Sequence, residues 1–304
     1  MDKQEYIISI DDTAGFCWGV VRTIEKVEQC LEEFKDKKVY VLGEIIHNPS
    51  EIERLESKGL KTLSKDDLNN FNTDNSVVII RAHGEPPSTY RQAEDIHLEL
   101  VDATCPLVKN LQNNVKKYFD NHYQIIIFGK FNHAEVVGLR GVCNDKCIVI
   151  SSKEEALEKV DFSTKTVLFA QTTMDKTKFH SIAKALQERF LDKNPNLTEN
   201  EINNIFEKKD TICKYVSNRS ETLTNFAKSN DIVIFVAGRN SSNGKSLFTI
   251  CNNANANTHF IENIYEIEKR WFADTKRIGI TGATSTPQWY LVSVKAEIEK
   301  MLMF

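Results

Sequence analysis

The residues most able to do chemistry are seven cysteines: Cys17, Cys30, Cys105, Cys143, Cys147, Cys213 and Cys251. No two stand as C-x-x-C, so a locally folded zinc ribbon is excluded. Three of them recur in a pattern. Cys17, Cys105 and Cys213 each precede a segment with helical spacing of apolar residues. They lie 26, 24 and 25 residues before Gly43, Gly129 and Gly238, each of which closes an apolar run. Four residues past each glycine stands a polar side chain: His47, His133 and Ser242. Three thiolates without a fourth suit a [4Fe-4S] cluster with one iron lacking a protein ligand, whereas electron-transfer clusters ordinarily carry four cysteines. An open iron can act as a Lewis acid on a substrate oxygen, and the cluster can supply electrons. Zinc held by three cysteines and a water or histidine is the alternative on residue type. Cys30, beside Leu31 on the first helical pattern, reads as core. Cys143, Cys147 and Cys251 fall outside the repeat, and the Cys143–Cys147 spacing has no further local metal ligand.

The other chemistry-bearing residues sit in loops that follow apolar runs. His83, in Arg81-Ala82-His83-Gly84, joins His47 and His133 in that position, whereas His97, His122, His180 and His259 show no such placement and are expected to be structural. With Thr172, Thr173, Ser242, Asn243 and Ser285 the three histidines make a donor-rich set suited to an anion. The stretch Gly238–Gly244 opens a helical segment whose N-terminus favours phosphate, while the absence of G-x-x-x-x-G-K-[ST] disfavours nucleoside triphosphate hydrolysis. Glu135, if ionised at rest and desolvated when substrate binds, can relay a proton; at a helix start it is otherwise simply favourable with the dipole. Arg81 and Arg239 flank these loops.

Holding such loops on one edge is a task for parallel α/β units, whose ligands gather at the carboxyl ends of strands. The order cysteine, helix, strand, glycine, helix, strand, capped turn, strand, polar loop, helix occurs three times. Strands are expected at Val39–Gly43, Ile125–Gly129 and Ile232–Gly238, then near Leu60–Leu63, Cys147–Ile150 and Thr258–Ile261, then at Val77–Ile80, Thr166–Phe169 and Arg277–Ile280. Ser64, Ser152 and Asn263 each precede a third helix as caps. The expected fold class is therefore α/β, with three pseudo-threefold-related units of mainly parallel sheet bringing Cys17, Cys105 and Cys213 together. The expected units are 12–104, 105–209 and 210–304, the last completed by the N-terminal strand within 1–11. Residues 193–209 read as an insertion, a linker or surface helix. The 304-residue length accommodates three such units. With 41% hydrophobic and 27% charged residues the chain is an ordinary globular protein, and its net charge of −4 gives no general attraction to nucleic acid or an anionic membrane. The start of the sequence lacks signal-peptide character and the apolar runs are too short to span a bilayer, so a cytoplasmic location with reduced thiols is expected.

Taken together, the motifs resemble the 4-hydroxy-3-methylbut-2-enyl diphosphate reductases. They are Ala14-Gly-Phe-Cys17-Trp-Gly19, Gly43-Glu-Ile-Ile-His47-Asn-Pro49, Arg81-Ala-His83-Gly84, Asp102-Ala-Thr-Cys105-Pro106, His133-Ala-Glu135-Val, Gln171-Thr172-Thr173, Ile212-Cys213, Asn240-Ser-Ser242-Asn243 and Thr284-Ser285-Thr286-Pro287, in the family's order from about residue 12 to 290. The resemblance implies a trefoil around a central iron–sulfur site. It also implies reductive removal of a hydroxyl from an allylic diphosphate to give isopentenyl and dimethylallyl diphosphates, the last step of the non-mevalonate pathway. It implies that Cys17, Cys105 and Cys213 hold the cluster, and that His47, His83, His133, Ser241, Ser242, Asn243 and Ser285 hold the diphosphate. Thr172 would orient the substrate hydroxyl, Glu135 would deliver protons, and a ferredoxin or flavodoxin would supply electrons. Trp18 and Asn132 depart from the family pattern, where a small residue and a glycine are common. Another three-cysteine cluster enzyme, of the quinolinate synthase or diphthamide type, and a non-catalytic iron–sulfur sensor are the competing readings.

Overall fold

The computed structural model describes residues 6–303. Its first third contains β1 (Ile7–Ile10), α1 (Trp18–Glu33), β2 (Lys38–Leu42), α2 (Pro49–Ser57), β3 (Lys61–Leu63), β4 (Ser76–Ile80), α3 (Pro87–Asp95) and β5 (Glu99–Asp102). Next come α4 (Pro106–Asp120), β6 (Gln124–Phe128), α5 (Ala134–Val142), β7 (Ile148–Ile150), α6 (Lys153–Lys159), β8 (Thr166–Ala170), α7 (Lys176–Lys193), α8 (Glu199–Ile202) and β9 (Phe206–Lys208). The remainder holds α9 (Lys214–Ser217), α10 (Arg219–Lys228), β10 (Ile232–Val236), α11 (Ser242–Ala254), β11 (Thr258–Ile261), β12 (Arg277–Gly282) and α12 (Gln288–Met303). The strands form three four-stranded sheets, which places the chain in the expected α/β class. Two compact units are distinguished: Leu63–Cys213, and the described residues up to Thr62 together with those from Lys214 onward.

Within Leu63–Cys213 one sheet has the order β7-β6-β8-β9, all parallel, and β4 pairs in parallel with β5. Alternate residues of its central strands face opposite ways. Ile126, Phe128, Leu168 and Ala170 pack with Phe179, Ile182, Leu186 and Phe190 of α7. Ile125, Ile127, Val167 and Phe169 pack with Leu111 and Val115 of α4 and Val136 and Leu139 of α5. Burial on both faces explains why these strands read as unbroken apolar runs.

The other unit repeats the plan with the order β11-β10-β12-β1. Ile232, Ile234, Ile278 and Ile280 pack with Leu291, Val294 and Ile298 of α12, while Val233 and Phe235 pack with Leu223 of α10 and Leu247 of α11. Here β1 pairs with β12, Ile7 opposite Arg277 through Ile10 opposite Ile280, so the N-terminal strand fills the place that β9 fills in its own sheet. Residues 193–209 are thus more than a linker: Phe206–Lys208 is the fourth strand of a sheet, with Phe206 buried in the core. Two capped segments expected as helices are single 3₁₀ turns, Asp66–Asn70 and Ile264–Glu266. Asn263 and Glu266 complete a capping box, but Tyr265 is 90% exposed and no apolar face follows to extend the turn. Only Ser152 caps a true third helix, accepting from Glu155 N at 3.2 Å.

Candidate active site

Both complete sheets place their first and third strands side by side, with the second strand outside the first. Chain direction on the sheet therefore reverses at the β6–β8 and β10–β12 boundaries, where ligands of parallel α/β sheets bind. Each boundary is bridged by a polar lock.

At the first, Glu135 on α5 reaches across to the loop after β8. Thr172 N donates to Glu135 Oε1 and Thr172 Oγ1 donates to Oε2, both at 2.7 Å. Glu135 is 1% exposed, and burial pushes its carboxyl up to about 7 even though the two Thr172 bonds favour the charged form. Gly129, at the end of β6, allows this approach: a Cβ there would lie 2.8 Å from Val136 Cγ2 and 3.1 Å from Gln171 Cβ. His133 caps α5, its Nδ1 accepting from Glu135 N at 3.2 Å. With Nδ1 as acceptor, the neutral ring carries its proton on Nε2. The His83 ring meets His133 edge-on, centroids 5.3 Å apart.

At the second boundary, Asn243 of α11 reaches the loop after β12. Its Oδ1 accepts from Thr284 N at 3.0 Å and Thr284 Oγ1 at 2.8 Å, which fixes the amide orientation. Asn243 Nδ2 is buried with no hydrogen-bond partner among the described residues, a donor held for something else. Ser241 caps α11 by accepting from Gly244 N at 2.9 Å. Ser241, Ser242 and Asn243 are all buried at the N-terminus of this 13-residue helix. Ser285 Oγ donates to His47 O at 3.4 Å, and a Cβ on Gly238 would lie 2.3 Å from that same carbonyl. Only glycine lets the His47 loop settle against the end of β10. His47 Nδ1 is 3.1 Å from Glu44 Oε2.

The cysteines are held by one repeated device. Cys17 N donates to Thr284 O at 3.2 Å, Cys105 N to Ala82 O at 3.0 Å and Cys213 N to Thr172 O at 2.8 Å. Each acceptor lies in the loop that leaves a third strand, β12, β4 or β8, and each cysteine follows the fourth strand beside it. An Asx turn closes each fourth strand: Asp11 Oδ1 accepts from Thr13 N, Asp102 Oδ1 from Thr104 N and Asp210 Oδ1 from Ile212 N, at 2.9, 3.0 and 3.2 Å. Asp102 and Asp210 stand three residues before Cys105 and Cys213, whereas Asp11 stands six before Cys17, so spacing alone does not relate it to the other two. Arg219 also went unnoticed. It is buried, donating to Asp11 Oδ2 at 3.0 Å and to Gly282 O at 2.8 Å, and so secures the strand ends beneath Cys17.

Cys17 and Cys105 are the N-caps of α1 and α4, and Cys213 directly precedes α9. Burial pushes the Cys105 thiol up, backbone N–H groups of Leu107 and Val108 draw it down, and the charges of Cys213 and Glu135 raise it again. Cys105 and Cys213, soft sulfurs that repel one another when ionised, are donors suited to an iron–sulfur centre. Cys30 and Cys251 are buried in cores, as is Cys143. His97 and His122 occupy left-handed turn positions and His259 stacks on Trp271, structural places as expected. Arg81 and Arg239 are paired with Glu85 and with Glu262 and Glu266. Trp18 opens α1 with its ring 48% exposed and Arg22 over it, and Asn132 is exposed; neither displaces a site side chain.

Residues 8–299 match the family model described as LytB protein. A 4-hydroxy-3-methylbut-2-enyl diphosphate reductase of Chloroherpeton thalassium is 45% identical over 306 residues, covering 96% of each chain. The enzyme of the same name from Bacteroides thetaiotaomicron is 42% identical, covering 97% of this chain and 98% of that one. Among solved structures, (E)-4-hydroxy-3-methyl-but-2-enyl diphosphate reductase, described as the terminal enzyme of the non-mevalonate pathway, aligns at a TM-score of 0.67 with 33% identity over 97% of this chain and 99% of that one. The E-1-hydroxy-2-methyl-but-2-enyl-4-diphosphate reductase of Plasmodium falciparum aligns at 0.81 with 27% identity, covering 96% and 87%. The chain belongs to the LytB family.

Proposed function

We propose that this protein is a 4-hydroxy-3-methylbut-2-enyl diphosphate reductase, converting its allylic diphosphate, two electrons and two protons into isopentenyl or dimethylallyl diphosphate and water. It depends on iron and sulfur, in the form of a [4Fe-4S] cluster held by Cys17, Cys105 and Cys213. The observation that carries this reading is the backbone bond shared by those three cysteines, which gives each the same anchorage on a sheet edge. The repeated strand order supports three units, 12–104, 105–209 and 210–304, the last completed by residues within 1–11.

When bound, a cluster with three cysteine ligands supplies an open iron as Lewis acid and a path for electrons. The chain's own residues do the rest. His133 Nε2–H, Asn243 Nδ2 and the N-termini of α5 and α11 present donors to the diphosphate, with His47, His83, Ser241, Ser242 and Ser285 completing the set. Thr172 Oγ1 orients the substrate hydroxyl while it remains tied to Glu135. Glu135 is buried and protonated below about pH 7, so it can hand its proton to the departing hydroxyl held beside it. A poor leaving group thereby departs as water. A ferredoxin or flavodoxin supplies the electrons, and the reading is of a cytoplasmic enzyme, a reducing setting that suits seven unbridged cysteines. No helix among the described residues is long and apolar enough to cross a membrane.

Anaerobic iron and sulfide analysis coupled to substrate-dependent oxidation of reduced viologen tests this. The expected result is one [4Fe-4S] cluster per chain and dye oxidation only with the allylic diphosphate. A loaded cluster with no turnover would make the protein a sensor, and stoichiometric zinc would overturn the cluster.

A further inference from the structure

Cys143 and Cys147 lie outside all of this chemistry, yet they are not scattered core thiols. Cys143 terminates α5 as its C-cap, and the next two residues, Asn144 and Asp145, adopt left-handed conformations with φ of 51° and 58°. Asn and Asp tolerate that region best among non-glycine residues, and two in succession turn the chain sharply. Asp145 N donates to Arg140 O and Lys146 N to Cys143 O, both at 2.9 Å, so Cys147 is brought back beside Cys143 at the entrance of β7. The two thiols are close enough for each to shift the other's ionisation. They also share an apolar cluster with Leu139, Val142 and Phe169, in which Cys143 is wholly buried and Cys147 half-buried.

The pair is asymmetric. Arg140 is clamped near it by Asp145 at 2.7 Å and by the Phe131 ring, 3.8 Å below its guanidinium. The neighbouring Cys143 thiol, and then the charge of Arg140, hold the Cys147 thiol below its ordinary value, whereas the Cys147 neighbour and burial push Cys143 up. A more accessible thiol of lowered pKa beside a buried thiol of raised pKa is the arrangement in which one sulfur is oxidised and the other resolves it.

We propose that Cys143 and Cys147 form a redox-active dithiol that a hydroperoxide converts reversibly into an intramolecular disulfide. Cys147 sulfur attacks one peroxide oxygen and breaks the O–O bond, giving a sulfenic acid and, with hydrogen peroxide, hydroxide that takes up a proton. Cys143 sulfur then displaces the sulfenic oxygen, and the Cys143 proton leaves with it as water. Overall, two thiols and one hydrogen peroxide become one disulfide and two waters. Thiols that already share one apolar cluster and one tight turn need only a local movement to reach an S–S bond of about 2.05 Å. Neither is among the three cysteines proposed to hold the cluster, so the inference stands apart from the reductase reading.

The anaerobically purified holoenzyme is treated with hydrogen peroxide, alkylated and digested with trypsin. Cleavage after Arg140 and Lys146 falls outside and inside the loop, so the disulfide joins peptides 141–146 and 147–153 at their summed mass less two hydrogens. The expected result is that linked pair, lost on treatment with a dithiol reductant. Alkylation of both peptides after peroxide, or Cys147 carried to sulfinic acid with Cys143 still alkylated, overturns the proposal. Cys143→Ala should abolish the linked species and leave a sulfenic acid at Cys147 that dimedone captures. Cys147→Ser should leave Cys143 alkylated in full, and keeps the test decisive if the buried variant fails to fold. Sulfurs released by cluster damage give other peptide masses and are not confused with this pair.

Discussion

Thr172→Val tests the proton delivery proposed for Glu135. The substitution removes the 2.7 Å bond from Thr172 Oγ1 to Glu135 Oε2 but leaves the backbone donor on Oε1. The lost bond favours the ionised carboxylate, so the Glu135 pKa must rise further. A hydrogen bond to a charged group contributes about 1.5–3 kcal/mol, and one pKa unit is ~1.4 kcal/mol. The carboxyl therefore moves up from about 7 by roughly one to two units. In the wild-type protein the protonated fraction drops from ~0.9 at pH 6 to ~0.1 at pH 8. If Glu135 supplies the proton, turnover falls about tenfold across that interval. The assay is anaerobic substrate turnover with a reduced viologen donor from pH 5.5 to 9, each rate divided by that of Glu135→Gln to cancel the pH dependence of dye and cluster. Thr172→Val should turn over more slowly at every pH, because the hydroxyl contact to substrate is gone. Its alkaline limb should nevertheless stand roughly one to two units higher. Coincident limbs in wild type and Thr172→Val, or a ratio of wild type to Glu135→Gln that stays flat with pH, would refute the role.

The remaining expectations address the cluster, the anion cradle and the fold. Cys17→Ser, Cys105→Ser and Cys213→Ser should each lose bound iron and turnover while Cys30→Ser, in the core of α1, keeps both; iron, sulfide and visible absorption read this directly. Asn243→Ala removes a buried donor and leaves Thr284 N and Oγ1 without their acceptor, so KM for the diphosphate should rise ~10–100-fold, with an unchanged KM counting against the cradle. Phe206→Ala opens a cavity beneath β9 and should cost about 3–5 kcal/mol in chemical denaturation, lowering cluster content as Cys213 loses its support. For Glu135 the folded pKa lies above the ordinary carboxyl value near 4.5, so its contribution to stability is complete below that value and lost as pH rises through about 7. Glu135→Gln titrates nothing there, and the stability of apo wild type relative to this variant should fall by roughly 3 kcal/mol between pH 4.5 and 7.

Strands buried on both faces announce themselves as apolar runs, which is why β4, β6, β8, β10 and β12 were legible to within a residue or two. An edge strand has no such signature. In β9 only Phe206 enters the core, while Glu207 is taken up by Tyr118 and Lys209 on the other side, so the segment read as an insertion. Capping residues misled for a related reason. Ser64 and Asn263 satisfy the first N–H groups of a turn, but a helix extends only when an amphipathic face has something to pack against. Caps state where a helix can start and are silent on its length.

The site was legible to a different degree, because its chemistry is carried by residue type and its geometry by the backbone. Cysteine, histidine and hydroxyl positions could be ordered by spacing, since a repeated fold must return each loop to the same edge after a similar length of chain. What spacing does not contain is the direction of a side chain. That Glu135 is met by both polar groups of Thr172, and Asn243 by both of Thr284, depends on the first and third strands lying side by side, an order set by pairing between distant segments. The two locks differ in chemistry on the same scaffold. A carboxylate at the β6–β8 boundary can lose and regain a proton, while an amide at the β10–β12 boundary can only donate and accept hydrogen bonds. The same topological position therefore carries a titratable group in one sheet and a fixed amide in the other, a change of one side chain at the start of a helix.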